Sequence, residues 1–167
     1  PIFGEHHFNL LAGQEAYSYR YDVLRASRSN MALPDFPELA VGSLVTGGTG
    51  YRVDYSLVGY FLNAQYDYQS KYFFSGSYRR DGSSRFAPET RWGNFWSVGA
   101  SWRIDREDFM VATSDWLSAL TLKVSYGAQG NDNLGTYYAS SGLYSVVSNN
   151  GENALVSDRL ATPKLKW

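Results

Sequence analysis

The chain has 167 residues, with 15 Lys and Arg against 16 Asp and Glu, and a formal net charge of -1. This near-neutral balance argues against a nucleic-acid partner, which requires a basic surface. The sequence contains no cysteine, which excludes a disulfide framework and a thiolate metal site within it. Aromatic residues make up 17% of the chain, and 14 Tyr with 16 Gly favour an all-β protein.

The first half of the chain contains the clearest alternation. A first strand is predicted over residues 8–21. Residues 25–50 contain Pro34, Pro37 and a Gly-rich cluster, and they predict a long loop. Residues 58–68 then alternate apolar and polar side chains without a break. Ten steps of about 3.3 Å at a tilt of about 40° span about 25 Å, the height of the apolar band of an outer-membrane barrel.

The second half continues with shorter strands. Residues 69–71 predict a tight turn, which returns the chain as an antiparallel strand over 72–81. After a loop at 82–91, a fourth strand carries its apolar side chains between positions 96 and 104. Asp105 is a candidate N-cap of a short helical turn at 105–113, with Asp108 near its third position. A fifth strand follows near 120–129, then a weaker strand near 137–147 and a polar loop.

Successive strands repeat one rule, with apolar side chains on one parity and small or polar side chains on the other. Tyr and Trp cluster where the strands end, as in the aromatic girdles of membrane barrels. This pattern predicts a transmembrane strand set. A soluble β-sandwich produces the same alternation, because its core also takes every second side chain.

A distinctive run of charged, small and aromatic residues lies at the end of the strand over 72–81. It is Arg80, Asp81, Gly82, Ser83, Ser84, Arg85 and Phe86, preceded by Lys71-Tyr72 and followed by Trp92-Gly93. Further along the chain stand Glu107-Asp108-Phe109 and the run LKVSYG at 122–127. In this order and spacing the motifs resemble the SusC/RagA-like family of TonB-linked (TonB-dependent) outer-membrane transporters. The likeness extends over nearly the whole chain and is densest between residues 71 and 131.

The resemblance implies a fold and a function. The fold is an antiparallel transmembrane β-barrel of 22 strands filled by a plug, of which residues 1–167 would supply about six or seven strands. The plug and TonB-box regions are not expected within this sequence. The implied function is TonB-dependent uptake of a large nutrient, a glycan or a peptide, across the outer membrane of a Gram-negative bacterium. The implied partners are outer-membrane lipid, a SusD-like surface lipoprotein as lid and the TonB complex, and no cofactor is implied.

The parity rule and the resemblance together assign residues to surfaces. The motif run from Arg80 to Phe86 is expected in an outer loop, where Arg79, Arg80 and Arg85 can form ion pairs with Asp81 or with a neighbouring strand. The glycines at 59, 99 and 127 would let the plug approach closely. The residues expected to face the lumen or the plug are Asn63, Gln65, Asp67, Arg79, Arg103, Lys123 and Gln129. The residues expected to face lipid are Tyr60, Leu62, Tyr66, Phe74, Tyr78, Trp96, Val98, Trp102, Leu122 and Val124.

Other functions receive less support from the sequence. His6 and His7 are the only histidines, and neighbouring strand residues point to opposite faces, so they do not form one metal site. The hydroxyls of Thr113-Ser114-Asp115 and of Ser83-Ser84 have no histidine nearby in sequence to activate them, which argues against an enzyme. The alternatives are a complete small eight-stranded barrel acting as anchor or adhesin, a scaffold descended from the transporter, and a soluble carbohydrate-binding sandwich.

Overall fold

The computed structural model describes residues 2–33, 35–36 and 38–167. Two compact units divide the chain. One contains Pro1–Tyr17 and Leu57–Trp167, and the other contains Ser18–Ser56. Among the described residues, no helix is long and apolar enough to cross a membrane.

Eight strands account for most of the described residues. Six of them form one sheet in the order β1-β2-β3-β4-β5-β6, and the last two form a separate hairpin. Every pairing with a defined register is antiparallel. The strands are β1 (Ile2–Phe3), β2 (His6–Met31), β3 (Gly42–Tyr68), β4 (Tyr72–Ser83), β5 (Trp92–Arg103), β6 (Thr121–Ala128), β7 (Leu143–Asn149) and β8 (Glu152–Arg159). The all-β, antiparallel prediction is confirmed.

The tight turn between β3 and β4 forms as predicted. Gln69 and Ser70 both adopt positive φ, at 56° and 52°. Two consecutive left-handed residues give a backbone twist that matches the twist of paired strands. The Asp67 carboxylate accepts a 2.9 Å hydrogen bond from the Ser70 backbone N–H, and the Lys71 N–H donates to the Tyr68 carbonyl at 3.0 Å. This turn fixes the β3–β4 register, in which Tyr68 lies opposite Tyr72 and Leu62 opposite Tyr78.

The predicted long loop at 25–50 is wrong for most of its length. Strand β2 runs on to Met31, a 3-10 helix covers Leu39–Val41, and β3 begins at Gly42. Pro34 and Pro37, on which the loop prediction depended, lie outside the described residues. Cross-strand pairing between β2 and β3 overrides the local turn propensity of the Gly-rich cluster.

Polar side chains connect the two strands within the unit Ser18–Ser56. Arg20 pairs with Asp54 at 2.7 Å and Arg52 with Asp22 at 2.6 Å. In the first pair β2 supplies the arginine and β3 the aspartate, and in the second pair the roles are reversed. Each strand therefore supplies one cation and one anion. This alternation of charge keeps the ladder in register, although each such exposed pair contributes only about 0.2–1 kcal/mol.

In the second half of the chain, the structure corrects the predicted N-cap at Asp105 and the predicted polar loop after residue 147. The helical turn exists as two 3-10 helices, Ile104–Arg106 and Asp108–Thr113, but neither has a side-chain N-cap. The Asp105 carboxylate instead accepts hydrogen bonds from the guanidinium of Arg103. The polar loop predicted after residue 147 is the turn and second strand of the β7–β8 hairpin, whose polar and charged residues are exposed.

Candidate functional site

One face of the sheet in the larger unit is largely apolar, with Arg80 and Asn94 at one end of it. The register places Phe74 opposite both Tyr66 and Ala100, and Trp102 opposite both Tyr72 and Leu122. Side chains of the same parity on β3 to β6 therefore lie side by side, as the alternation predicted. We call this surface the apolar face.

The apolar face has no second layer of described residues over it. Val98 is 52% exposed and Val124 is 67% exposed, values that a sandwich core does not allow. Two of the ten predicted lipid-facing residues, Tyr66 and Trp102, are less exposed than the rest. Tyr66 packs against Phe8, and Trp102 donates a hydrogen bond to Glu107. The other eight are exposed: Tyr60, Leu62, Phe74, Tyr78, Trp96, Val98, Leu122 and Val124.

A concavity of about 890 Å³ is lined mainly by the opposite parity, with Tyr66, Phe74, Ala100 and Val124 of the apolar-face parity at its margin. Cross-strand neighbours on β3 to β6 extend across it, and one such set is Asp67, Phe73, Ser101 and Lys123. Of the seven residues predicted to face lumen or plug, four line this concavity: Gln65, Asp67, Arg103 and Lys123. Asn63 lies on the same parity one row further along, and Gln129 lies just after the end of β6.

Arg79, the remaining member of that set, is bound to two carboxylates. It contacts Asp81 at 2.7 Å and Glu15 at 2.8 Å, and so connects β4 to β2. A Cβ atom at Gly59 would lie 2.9 Å from the Arg79 guanidinium, so the glycine makes room for this ion pair. The structure therefore gives Gly59 a packing role within the sheet itself.

The predicted outer-loop motif forms a compact polar and aromatic core. Ser83 is fully buried, and its hydroxyl donates to the Asp132 carboxylate at 2.8 Å. The Arg85 guanidinium donates to the Asp132 backbone carbonyl at 2.7 Å and lies 4.8 Å from the ring of Tyr137. Strand β4 runs to Ser83, so the first four motif residues lie in the strand and not in the predicted outer loop. These contacts join the end of β4 and the loop after it to the loop after β6, about 50 residues away in sequence. We call this assembly the motif cluster.

Aromatic packing completes the motif cluster. Phe86 is 1% exposed and lies 5.2 Å from the ring of Trp167. Phe95 contacts Trp167 edge-on at 5.3 Å, and the Trp167 indole N–H donates to the Arg91 carbonyl at 2.7 Å. A buried indole requires such a partner. The motif residues thus act first as a structural core for the loops.

The other motif residues lie at the rim of this core. Arg80 stacks over Trp92 at 5.2 Å and is exposed, Asp81 is buried in its ion pair with Arg79, and Ser84 is exposed. Gly82 is buried beneath the Trp92 ring, which a Cβ would meet at 3.0 Å. The expectation that Asp81 pairs with a neighbouring arginine agrees with this geometry.

A second cluster lies at the tight-turn end of the sheet. The Glu107 carboxylate accepts hydrogen bonds from the Tyr72 hydroxyl at 2.6 Å and from the Trp102 indole at 2.9 Å, and Lys71 lies 3.3 Å away. The Glu107 side chain is only 13% exposed. We call Lys71, Tyr72, Trp102 and Glu107 the end clamp.

Charge and hydrogen bonding stabilise the carboxylates at this end. The hydrogen bond from Tyr72, then those from Trp102 and Lys71, lower the pKa of Glu107 below its ordinary value. The hydrogen bond from Arg103 lowers the pKa of Asp105 in the same way. Both groups are therefore ionised at neutral pH, and both hold the link between β5 and β6 against the sheet.

The two histidines lie apart, as predicted. His6 hydrogen-bonds the Tyr66 hydroxyl at 2.8 Å on the apolar face, whereas His7 lies 3.0 Å from Asp67 on the concave face. Among the residues that the structure describes, no group of three His, Cys, Asp or Glu side chains is placed to hold a metal ion.

Sequence reasoning missed Glu107 and Asp132. The sequence pattern gives Glu107 only a place in a motif and assigns no role to Asp132. Glu107 could have been found from its position, because it is a carboxylate that follows shortly after a strand ending in Trp102 and Arg103, both of which are hydrogen-bond donors. No local signal identifies Asp132, because its partners Ser83 and Arg85 are distant in sequence.

Comparisons with known proteins agree with this geometry. No protein-family model matches the chain. TonB-dependent receptor P3 of Formosa agariphila is 29% identical over 170 residues, which cover 99% of this chain and 17% of that protein. TonB-dependent receptor SusC of Bacteroides thetaiotaomicron is 39% identical over 101 residues, 60% of this chain and 10% of that protein. The solved structure of the RagAB peptide transporter superposes with a TM-score of 0.89 at 28% identity, over 99% of this chain and 19% of the matched chain.

A six-stranded antiparallel sheet with one exposed apolar face, matched by the RagAB peptide transporter over 99% of the chain, defines a part of a TonB-dependent outer-membrane transporter barrel. Within that class the chain belongs to the SusC/RagA-like family. The chain spans less than a fifth of the length of the relatives it matches. Those relatives are receptors and transporters, so the family is one of transport proteins rather than enzymes.

Proposed function

We propose that the protein carrying this chain imports a large nutrient, a glycan or a peptide, across the outer membrane of a Gram-negative bacterium in a TonB-dependent step. In this proposal residues 1–167 form part of the barrel wall, a SusD-like surface lipoprotein covers the outer opening, and the plug and TonB-box regions lie elsewhere in the protein. The observation that carries the proposal is the segregation of side chains by parity, with exposed Leu62 and Val98 on one face and Gln65, Asp67, Arg103 and Lys123 lining the concavity of the other.

The faces then have distinct roles. The apolar face contacts outer-membrane lipid, because contiguous exposed apolar surface of this extent requires an apolar neighbour. The concave face, with Gln65, Asp67, Arg103 and Lys123, contacts the plug or the water-filled lumen. The tight turn at 69–71 is on the periplasmic side and the motif cluster on the outer side, since barrels of this type have short periplasmic turns and longer outer loops.

The small eight-stranded barrel is less well supported. In the part of the chain that the structure describes, β1 and β6 are the two edges of the main sheet and do not pair with each other. A membrane barrel must pair every edge. The missing partners of β1 and β6 are therefore other strands of a longer chain, as the match to a small share of the RagAB transporter chain supports.

Uptake by cells tests the proposal. A strain deleted for the full-length protein would be compared with the complemented strain for accumulation of fluorescent peptide and oligosaccharide pools. We expect one of the pools to enter only the complemented strain, and a protonophore to abolish that uptake, because TonB-dependent transport uses the energy of the inner membrane. Uptake that is unaffected by the deletion for both pools would contradict the importer assignment. Co-purification of a surface lipoprotein with the full-length protein, and loss of uptake when the gene of that lipoprotein is deleted, would support the lid.

A further inference from the structure

The link between β5 and β6 leaves and rejoins the sheet at the tight-turn end. The Arg103 backbone N–H donates to the Lys71 carbonyl at 2.8 Å, and the Asp105 N–H donates to the Leu120 carbonyl at 3.2 Å. The Arg106 guanidinium reaches the Ser70 carbonyl at 3.3 Å. Both ends of the link are therefore tied to the sheet, and residues 108–116 form a closed excursion between them.

The end clamp sets the side of the sheet on which this excursion begins. Tyr72 and Trp102, which donate to Glu107, lie opposite each other in the β4–β5 register with their rings 6.4 Å apart. Both belong to the parity of the apolar face. Because Glu107 is bound to their polar tips, the link starts at the edge of the apolar face and not over the concavity.

Residues 108–116 expose large apolar side chains. Phe109 is 67% exposed, Val111 68% and Trp116 75%. Charged residues Arg106, Asp108 and Asp115 are exposed beside them. The combination of an exposed Trp and Phe with flanking charges is typical of segments at a membrane–water interface. Free in water, three such side chains in nine residues would be an aggregation hazard.

We propose that residues 108–116 are an interfacial anchor, which lies in the phospholipid headgroup layer at the tight-turn end of the barrel and is held there by Glu107. The anchor rests on the proposed membrane placement of the apolar face, with which it is continuous through Tyr72, Trp102 and Leu122. Phe109, Val111 and Trp116 enter the boundary between headgroups and acyl chains, about 5–10 Å deep, as amphipathic interfacial segments do. The flanking charges stay in water or contact headgroups.

Lipid-attached quenchers test the anchor in the full-length protein. A single cysteine at Val111→Cys would carry an environment-sensitive fluorophore, in vesicles of phosphatidylethanolamine and phosphatidylglycerol. The vesicles would contain a nitroxide either near the headgroup or near the end of the acyl chain. We expect a blue-shifted emission that the headgroup-proximal nitroxide quenches more strongly than the deep one. The same label at Val98→Cys, in the middle of β5, should show the reverse order.

The matched variants separate the possible failures. A Val111 label that neither nitroxide quenches, with a normal Val98 response, would overturn the anchor and leave the importer proposal intact; contact of the segment with another protein region would give this result. Loss of quenching at both positions would overturn the membrane placement itself. Glu107→Ala should weaken quenching at Val111 and leave Val98 unchanged, and unchanged quenching at both positions would contradict the role of Glu107 in holding the segment.

Discussion

At the scale of single residues, glycines in the strands have unequal roles. Gly93 in β5 lies against Phe95 and Trp167, and a Cβ there would come within 2.7 Å of the Trp167 ring. Gly76 in β4 has open space at its Cβ position, with nothing within 4 Å. The two positions therefore offer the same substitution in a packed and an open environment.

We expect Gly93→Ala to destabilise the full-length protein by about 1–3 kcal/mol, because the added methyl group overpacks the motif cluster. Gly76→Ala is the control and should be neutral or slightly stabilising, since alanine reduces the entropy of the unfolded chain. Urea unfolding in detergent micelles, followed by gel mobility, measures both. Equal midpoints for the two variants would contradict the packing role of Gly93.

The ionised Glu107 predicts a pH dependence. Its folded pKa is lowered, so its contribution to stability is present above the ordinary carboxyl pKa and is lost as the pH falls through the folded value. We expect wild type to be more stable than Glu107→Gln at neutral pH and the difference to shrink on acidification. Urea midpoints of the two proteins at several pH values give the measurement. A constant difference between them would show that the charge of Glu107 does not stabilise the clamp.

At the scale of elements, strand parity separates two environments for the same substitution. On the apolar face, Leu62 lies midway along the part of β3 that pairs with β4, and Val98 lies near the middle of β5, whereas Ser75 and Ser101 line the concavity. We expect Leu62→Arg or Val98→Arg to cost about 2–4 kcal/mol in a bilayer, because arginine then meets hydrocarbon. Ser75→Arg and Ser101→Arg should be much milder. Folding yields in vesicles over a urea series measure this, and equal costs on both parities would contradict lipid contact.

The sequence predicted the strands between residues 58 and 128 well, because each has one buried or apolar side and a period of two. It failed at 25–50, where strand pairing between β2 and β3 outweighs local Gly content, and at β8, where exposed polar residues mask the pairing with β7. The partners of Ser83 and Arg85 also could not be predicted. Asp132 approaches them only after three strands have aligned, and no local pattern encodes that proximity.

At the scale of the whole molecule, the main sheet ends in two unpaired edges among the described residues, β1 and β6. Residues 1–167 expressed alone should therefore neither remain soluble nor fold in micelles, because open edges and an apolar face both promote aggregation. The full-length protein should fold in micelles and show the heat-dependent gel mobility of a barrel. Fractionation with and without detergent distinguishes the cases. A soluble, monomeric product from residues 1–167 would refute the barrel assignment.

The motif cluster also has a consequence for folding order. Ser83 and Arg85 reach Asp132, and Phe86 reaches Trp167, so the contacts close only after β5 and β6 have been laid beside β4. Such long-range contacts require an unfavourable loss of chain entropy on loop closure, and the contacts offset this loss only after they have formed. The outer loops would thus remain mobile while the strands assemble, and they would become ordered only in the last step of folding.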